Sequence, residues 1–373
     1  MRTLVVTNDF PPRPGGIQAY VHALARHQPE GEVVVYAPGW RGATAFDAAQ
    51  PFPVVRHPGT LLLPVPDVLA RVRAVARAEG CDRVWFGAAA PLALLAEPLR
   101  RAGLADRAVA STHGHEIGWA RLPVARRALR RIGDTVDVAT ALTAYTRDRV
   151  AGALGPRARV ELLPPGVDAD VFSPDVDGGA VRRRHGLGGR PVVVCASRLV
   201  PRKGQDVLVR VLPALQRRVP GAALLLVGGG PSAEALRRAA RRAGVERDVV
   251  LTGSVPWEEL PAHYAAGDVF AMPCRTRRAG TDVEGLGIVY LEASATGLPV
   301  VAGDSGGAPE AVRDGVTGRV VSGTDPHAVL AALSTYLLDP DLARRTGEAG
   351  RAWVARDWRW ADRAARLRAF LTG

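Results

Sequence analysis

Glu284 and Glu292 bracket the stretch E-G-L-G-I-V-Y-L-E, two carboxylates with seven residues between them. Gly285 and Gly287 oppose helix at its start, while residues 288–296 have helical spacing. Glu284 is therefore expected in a loop and Glu292 about one turn inside a helix, so the two acids would meet different parts of one ligand. The amides of Gly285, Leu286, Gly287 and Ile288 would point from that helix N-terminus, where the dipole and free N–H groups favour a phosphate. A surface loop followed by a solvated Glu is the simpler reading of the same spacing.

Upstream lies R-L-V-P-R-K (198–203), directly after an apolar run of buried-strand type. Arg198 can offer a two-pronged fork to a phosphate, whereas Lys203 supplies a compact point charge that fits between two phosphate groups. A cation ~4 Å from a phosphate charge contributes about 4 kcal/mol at an effective dielectric of 20. Lys203 is the only Lys among 49 basic residues, which suggests a site where guanidinium is too large. A chance survivor of Arg-rich coding is the alternative.

N-D-F-P-P-R-P-G-G-I-Q (8–18) follows the first strand pattern, and Gly15 and Gly16 would let backbone approach a ligand closely. It lacks G-x-G-x-x-G spacing. Gly228 to Gly230 resembles part of that fingerprint, ending at Ala233, and a tight strand-to-helix turn explains it equally well. S-T-H-G-H-E (111–116) ends a strand pattern and places His113 at its carboxyl edge. Zinc would need a third ligand, and none is found, so no metal is expected. The D-x-D pairs Asp168/Asp170 and Asp175/Asp177 fall among turn residues, where Asp is ordinary.

Two segments could meet an anionic membrane. An apolar turn at 61–66 leads into a helix with Arg71, Arg73 and Arg77, and 119–131 combines Trp119, Leu122 and Leu129 with five Arg. Sheet-covering helices with solvated faces would look the same.

These residues need a scaffold, and the strand patterns supply one at 3–7, 32–36, 54–56, 83–86, 108–112 and 160–163, most of them separated by helical spacing. After a Pro-, Gly- and Asp-rich linker at 164–174, a second alternation runs through 191–196, 223–227, 249–252, 269–272, 299–302 and 318–321. The fold class is α/β, two Rossmann-like doubly wound domains facing a central cleft. Their expected extents are 1–165 and 175–357, with a C-terminal helix at about 358–373 packing back onto the first.

Composition narrows the classes. Apolar residues at 47% and charged residues at 23% are ordinary for globular chains, and the +12 charge is spread along the sequence without aromatic interleaving, which argues against nucleic acid. Cys81, Cys195 and Cys274 form no framework, so a reducing, cytoplasmic setting fits. The N-terminus has no signal-peptide core, and no apolar run approaches the roughly 18 to 20 residues that span a bilayer.

Five blocks, V-T-N-D-F-P-P-R-P-G-G-I-Q (6–18), V-W-F-G-A-A-A-P-L-A-L (84–94), S-T-H-G-H-E (111–116), S-R-L-V-P-R-K-G-Q-D (197–206) and D-V-E-G-L-G-I-V-Y-L-E-A (282–293), together resemble glycosyltransferase family four, of GT-B fold. The similarity runs over essentially the whole chain. The last two blocks mark the family, and the first three point to its actinobacterial phosphatidyl-inositol mannosyltransferases. That resemblance implies Arg198 and Lys203 on the donor diphosphate, Glu292 on the nucleotide ribose, and Glu284 on the transferred sugar with the 285–288 amides nearby. It implies His113 at the sugar or at developing charge, and Gly15 and Gly16 against the diphosphate or acceptor. The implied donor is GDP-mannose, the nucleotide sugar, and the implied acceptor is a lipid, a phosphatidyl-inositol mannoside receiving its second mannose at the cytoplasmic face of the plasma membrane. Retention, no cofactor and no metal follow, with the departing phosphate helping to deprotonate the acceptor. R-T-R-R-A-G-T (275–281) lies where relatives can differ and bears on the acceptor.

Three rivals stand beside it. One is a GT-B transferase with another sugar or acceptor. Another is a nicotinamide oxidoreductase built on Gly228 to Gly230, which needs an acid about 20 positions on at the end of the next strand, whereas Glu246 precedes its strand. The third is a sugar-binding protein without catalysis.

Overall fold

The computed structural model describes all 373 residues. They form two compact units, Met1–Gly166 joined by Trp360–Gly373, and Val167–Arg359.

In the first unit, β1 (Thr3–Val6), β2 (Val33–Pro38), β3 (Val54–His57), β4 (Arg83–Phe86), β5 (Arg107–Thr112), β6 (Val138–Ala141) and β7 (Val160–Leu162) make one sheet. Its order is β3-β2-β1-β4-β5-β6-β7, and the paired strands run parallel throughout. β1 and β2 are buried along their whole length, as expected of continuous Val-rich runs covered on both faces. Each such Val or Leu contributes about 1.5–3 kcal/mol when fully buried. The last helix, Trp360–Thr372, returns to this unit and buries Leu367, Phe370 and Leu371 in a cluster with Tyr20, Val21 and Leu24 of helix Gly16–Arg26. Arg368 clamps Glu32 with two bonds of 2.8 and 2.9 Å.

The second unit holds β8 (Val192–Ala196), β9 (Ala223–Val227), β10 (Val249–Gly253), β11 (Val269–Met272), β12 (Val300–Gly303) and β13 (Gly318–Val321), in the order β10-β9-β8-β11-β12-β13. These are parallel as well. Most of the segment read as a linker packs inside this unit: Val167 and Phe172 are core residues, and Asp168 accepts the backbone N–H groups of Asp170 and Val171 as a turn residue does.

Each sheet has one place where strand order reverses, between β1 and β4 and between β8 and β11. Loops leaving the carboxyl ends of those strands diverge there, which makes the two crevices the natural ligand sites of the fold.

Candidate active site

In the second unit, β8 delivers the loop 197–204 and β11 delivers the loop 273–287 to the same crevice. Gly204 lets them close: it has φ +78°, and a Cβ there would stand 2.0 Å from the Pro273 carbonyl oxygen. A 3-10 turn at Pro201–Lys203 then carries two consecutive cations onto one acid. Lys203 Nζ lies 2.7 Å from Glu284 Oε2, and the Arg202 guanidinium bonds the same oxygen. Arg202 also reaches Asp282 at 3.3 Å, and Arg275 forks onto Asp206 at 2.9 Å.

Glu284 is 7% exposed. Burial alone would push its carboxyl up, but Lys203 and then Arg202 outweigh that, holding it below the usual carboxylate range. Its backbone is fixed from β12, whose following loop supplies Ser305 Oγ to the Glu284 N–H at 3.3 Å and the Gly307 N–H to its carbonyl at 2.9 Å. Gly287, at φ +81°, turns the chain into helix Ile288–Ala295, which has no side-chain N-cap. The Tyr290 N–H turns back onto the Gly287 carbonyl at 3.0 Å, which leaves the N–H groups of Ile288 and Val289 to open the helix beside a cation-rich cluster.

Glu292 sits inside the helix as its spacing predicted, 8% exposed, with Oε2 accepting the Tyr264 hydroxyl at 2.7 Å. No cation balances it. Burial pushes its carboxyl up to about 7, with the Tyr264 bond working in the other direction. Arg198 is exposed, and its carbonyl accepts Gln205 Nε2 at 3.1 Å. The residue that joins Lys203 on Glu284 is Arg202, which the sequence reading passed over despite its place beside Lys203.

Gly228 and Gly230 have a packing reason to be glycine. A Cβ on either would stand 2.2 Å from the Ser197 carbonyl oxygen or 2.4 Å from that of Leu199. That turn buttresses the cation loop, and nothing in it requires a dinucleotide.

The first unit's crevice holds the other expected residues. His113 follows β5, and its Nε2 lies 2.6 Å from the Gly87 carbonyl, so Nε2 carries the proton and Nδ1 is left as an acceptor. Burial lowers its pKa, which keeps the ring neutral at pH 7. Tyr20 stands edge-on to it at 5.3 Å. Glu116, fully buried, receives the N–H groups of His113 and Gly114 at 3.0 and 3.1 Å, and His115 Nε2 lies 3.2 Å from its other oxygen. The acid thus shapes the loop that aims His113. Gly15 and Gly16 open helix Gly16–Arg26, again without a side-chain cap, and Gln18 bonds Asp9 at 2.8 Å.

Of the three Arg flagged for a membrane, Arg71 is exposed and paired with Asp67 at 3.0 Å, Arg77 is exposed, and Arg73 turns inward to the Pro98 carbonyl. No helix is long and apolar enough to cross a membrane.

Doubly wound sheets with a cation–carboxylate crevice at the strand-order reversal suit an enzyme of nucleotide-bearing ligands, and the matching families are glycosyltransferases. Residues 180–353 match the family model "Glycosyl transferases group 1" and residues 14–171 match "Glycosyltransferase Family 4". The fold is that of Anabaena HepE, solved with UDP, at TM-score 0.85 and 20% identity over 100% of both chains, and of WaaG, a glycosyltransferase involved in lipopolysaccharide biosynthesis, at TM-score 0.72 and 18% identity over 100% of both. This chain belongs to the family-four glycosyltransferases. Within that family it is 59% identical, over 99% of its length and 98% of the relative's, to a Mycolicibacterium smegmatis protein named GDP-mannose-dependent alpha-(1-6)-phosphatidylinositol monomannoside mannosyltransferase. A Corynebacterium glutamicum protein named for the monoacylated form of that acceptor is 45% identical over 98% of this chain and 96% of its own.

Proposed function

We propose that this chain transfers mannose from GDP-mannose to phosphatidyl-inositol monomannoside, the activity in its relatives' names. One observation carries the donor side: Lys203 and Arg202 converge on Glu284 beside the uncapped helix after Gly287. A diphosphate placed there meets fixed cations and the opening amides of that helix, and a leaving GDP is stabilised with little reorganisation. Arg198, exposed on the same loop, is free to swing onto a phosphate. Glu284 then holds the mannose hydroxyls, and Glu292 accepts from the ribose. In the other unit, Gly15 and Gly16 give the acceptor or diphosphate close backbone approach, and neutral His113 offers Nδ1 to a sugar hydroxyl.

The reaction retains configuration, needs no protein-held metal and uses the departing phosphate as base. Docking is peripheral, on the cytoplasmic face of an anionic membrane. Exposed Leu61, Leu63 and Val65 stand ahead of the helix bearing Arg71 and Arg77, and exposed Leu122 and Val124 precede Arg126 and Arg127. A screen of GDP-mannose and UDP-sugars against phosphatidyl-inositol monomannoside and soluble alcohols tests the assignment. Mannose on the lipid is expected; turnover of soluble alcohols alone overturns the acceptor, and turnover of UDP-sugars alone overturns the donor.

A further inference from the structure

Helix Leu260–Ala265 contributes no residue to the site described so far except the Tyr264 hydroxyl. Tyr264 is fully buried, its ring edge-on to Phe172 and tilted against Phe270, each at 5.6 Å. Its phenol is raised well above the ordinary value by burial and by Glu292, so it is a permanent donor at working pH. The hydroxyl takes Glu292 Oε2, while Oε1 makes no hydrogen bond within the protein.

We propose that Tyr264 is a positioning residue for the donor nucleotide, holding one oxygen of Glu292 so that the other is presented to the ribose hydroxyls. This rests on the nucleotide-sugar reading above. A Glu side chain free to rotate must be ordered on binding, at an entropic cost to affinity. One already pinned avoids that cost.

The environment makes the role measurable. Around Glu292 stand Tyr290 of its own helix, which donates to the Met272 carbonyl, and Cys195 of β8, near Tyr264. Arg351 from helix Pro340–Asp357 is engaged by the carbonyls of Ala169, Phe172 and Ala295. His263 lies on the Glu259 carbonyl, and Lys203 is held by Glu284. Tyr264 alone bonds the carboxylate. Glu292, at about 7, accepts charge-assisted hydrogen bonds from a diol when ionised and holds it more weakly as pH falls through 7. Removing the Tyr264 hydroxyl leaves burial unopposed, so the midpoint must rise.

The test is GDP affinity by calorimetry from about pH 6 to 9, for wild type and Tyr264→Phe, with 2′,3′-dideoxy-GDP as the second probe. Wild type should lose GDP affinity as pH falls through about 7. The variant should show the same curve displaced to higher pH, with GDP affinity several-fold below wild type near pH 7 and the two curves meeting in alkali. Dideoxy-GDP should bind both proteins alike. An unmoved midpoint, or equal loss of GDP and dideoxy-GDP in the variant, overturns the proposal, the second result marking a packing effect. Mannose transfer by wild type, measured in parallel, judges the enzyme assignment separately. Its absence beside Tyr264-dependent GDP binding would sink the sugar assignment and leave this role standing.

Discussion

Lys203 Nζ and Glu284 Oε2 are 2.7 Å apart, with both side chains about nine-tenths buried. A pair so placed is costly to desolvate and strongly destabilising to break, by about 3–5 kcal/mol when one partner is removed. The pair stands at the β8/β11 strand-order reversal, and under the proposed function a diphosphate arriving there would meet a cation already desolvated.

Lys203→Arg keeps the charge but adds a planar fork where a compact ammonium fits. Turnover should fall at least about tenfold, and Lys203→Ala should fall about 100- to 1,000-fold, as expected for loss of one charge-stabilising donor. Initial-rate assays check both. Wild-type rate in the Arg variant would show that the solitary Lys is a coding accident.

Glu284→Gln removes the charge two cations share. The carboxyl lies below its ordinary 4.5 in the folded chain, so its contribution to stability is complete above that pH and fades as acid takes the pH lower. Denaturant melts should therefore show wild type and variant separated at pH 7 and converging as the pH is taken well below 4.5.

His113 behaves in the opposite range. Its folded pKa lies below 6.5, so the unfolded chain binds more protons just under that value, and stability falls as pH drops from 6.5. His113→Gln should flatten that part of the stability profile. It should also lower turnover by about 100-fold, in line with the loss of one well-placed polar group.

Gly204→Ala and Gly186→Ala share positive φ, +78° and +63°, but only Gly204 faces backbone, with nothing within 4 Å of Gly186. The Gly186 variant should lose about 1 kcal/mol of conformational energy. The Gly204 variant should lose at least twice that and its donor affinity too, since its clash separates the loops carrying Lys203 and Glu284. Thermal melts and GDP titration distinguish them.

Leu61→Ser with Leu63→Ser should weaken binding to anionic vesicles about tenfold or more, at about 1.5–3 kcal/mol for each fully buried Leu. The binding should also weaken with salt, because the adjoining Arg charges are screened. Vesicle cosedimentation decides it.

Much of the scaffold was legible because its strands are continuous apolar runs between turn signals. β9, A-L-L-L-V, is flanked by Pro220–Gly221 and Gly228–Gly230 and could hardly be missed. β6, V-A-T-A, was not identified. It is only four residues long and half of them are Ala, which dilutes the strand preference of Val138 and Thr140, and it is fixed by tertiary bonds from Thr140 to Ser111 and from Thr112 to Thr140. At the site, Glu284 in a loop and Glu292 in a helix could be read from the glycines between them. Arg202 was hidden because only the 3-10 turn puts neighbouring side chains on one acid. Tyr264 was hidden because 28 residues of chain separate it from Glu292. Glu116 as a backbone acceptor, three residues after His113, was local enough to find, but the motif was read only for where it puts His113.

The central claim is a diphosphate site at Lys203 and Glu284, and a crystal structure with GDP tests it most directly. The β-phosphate should lie about 3 Å from Lys203 Nζ and from amides of the turn at Gly287. Diphosphate density elsewhere, with the Lys203–Glu284 pair undisturbed, would contradict the account.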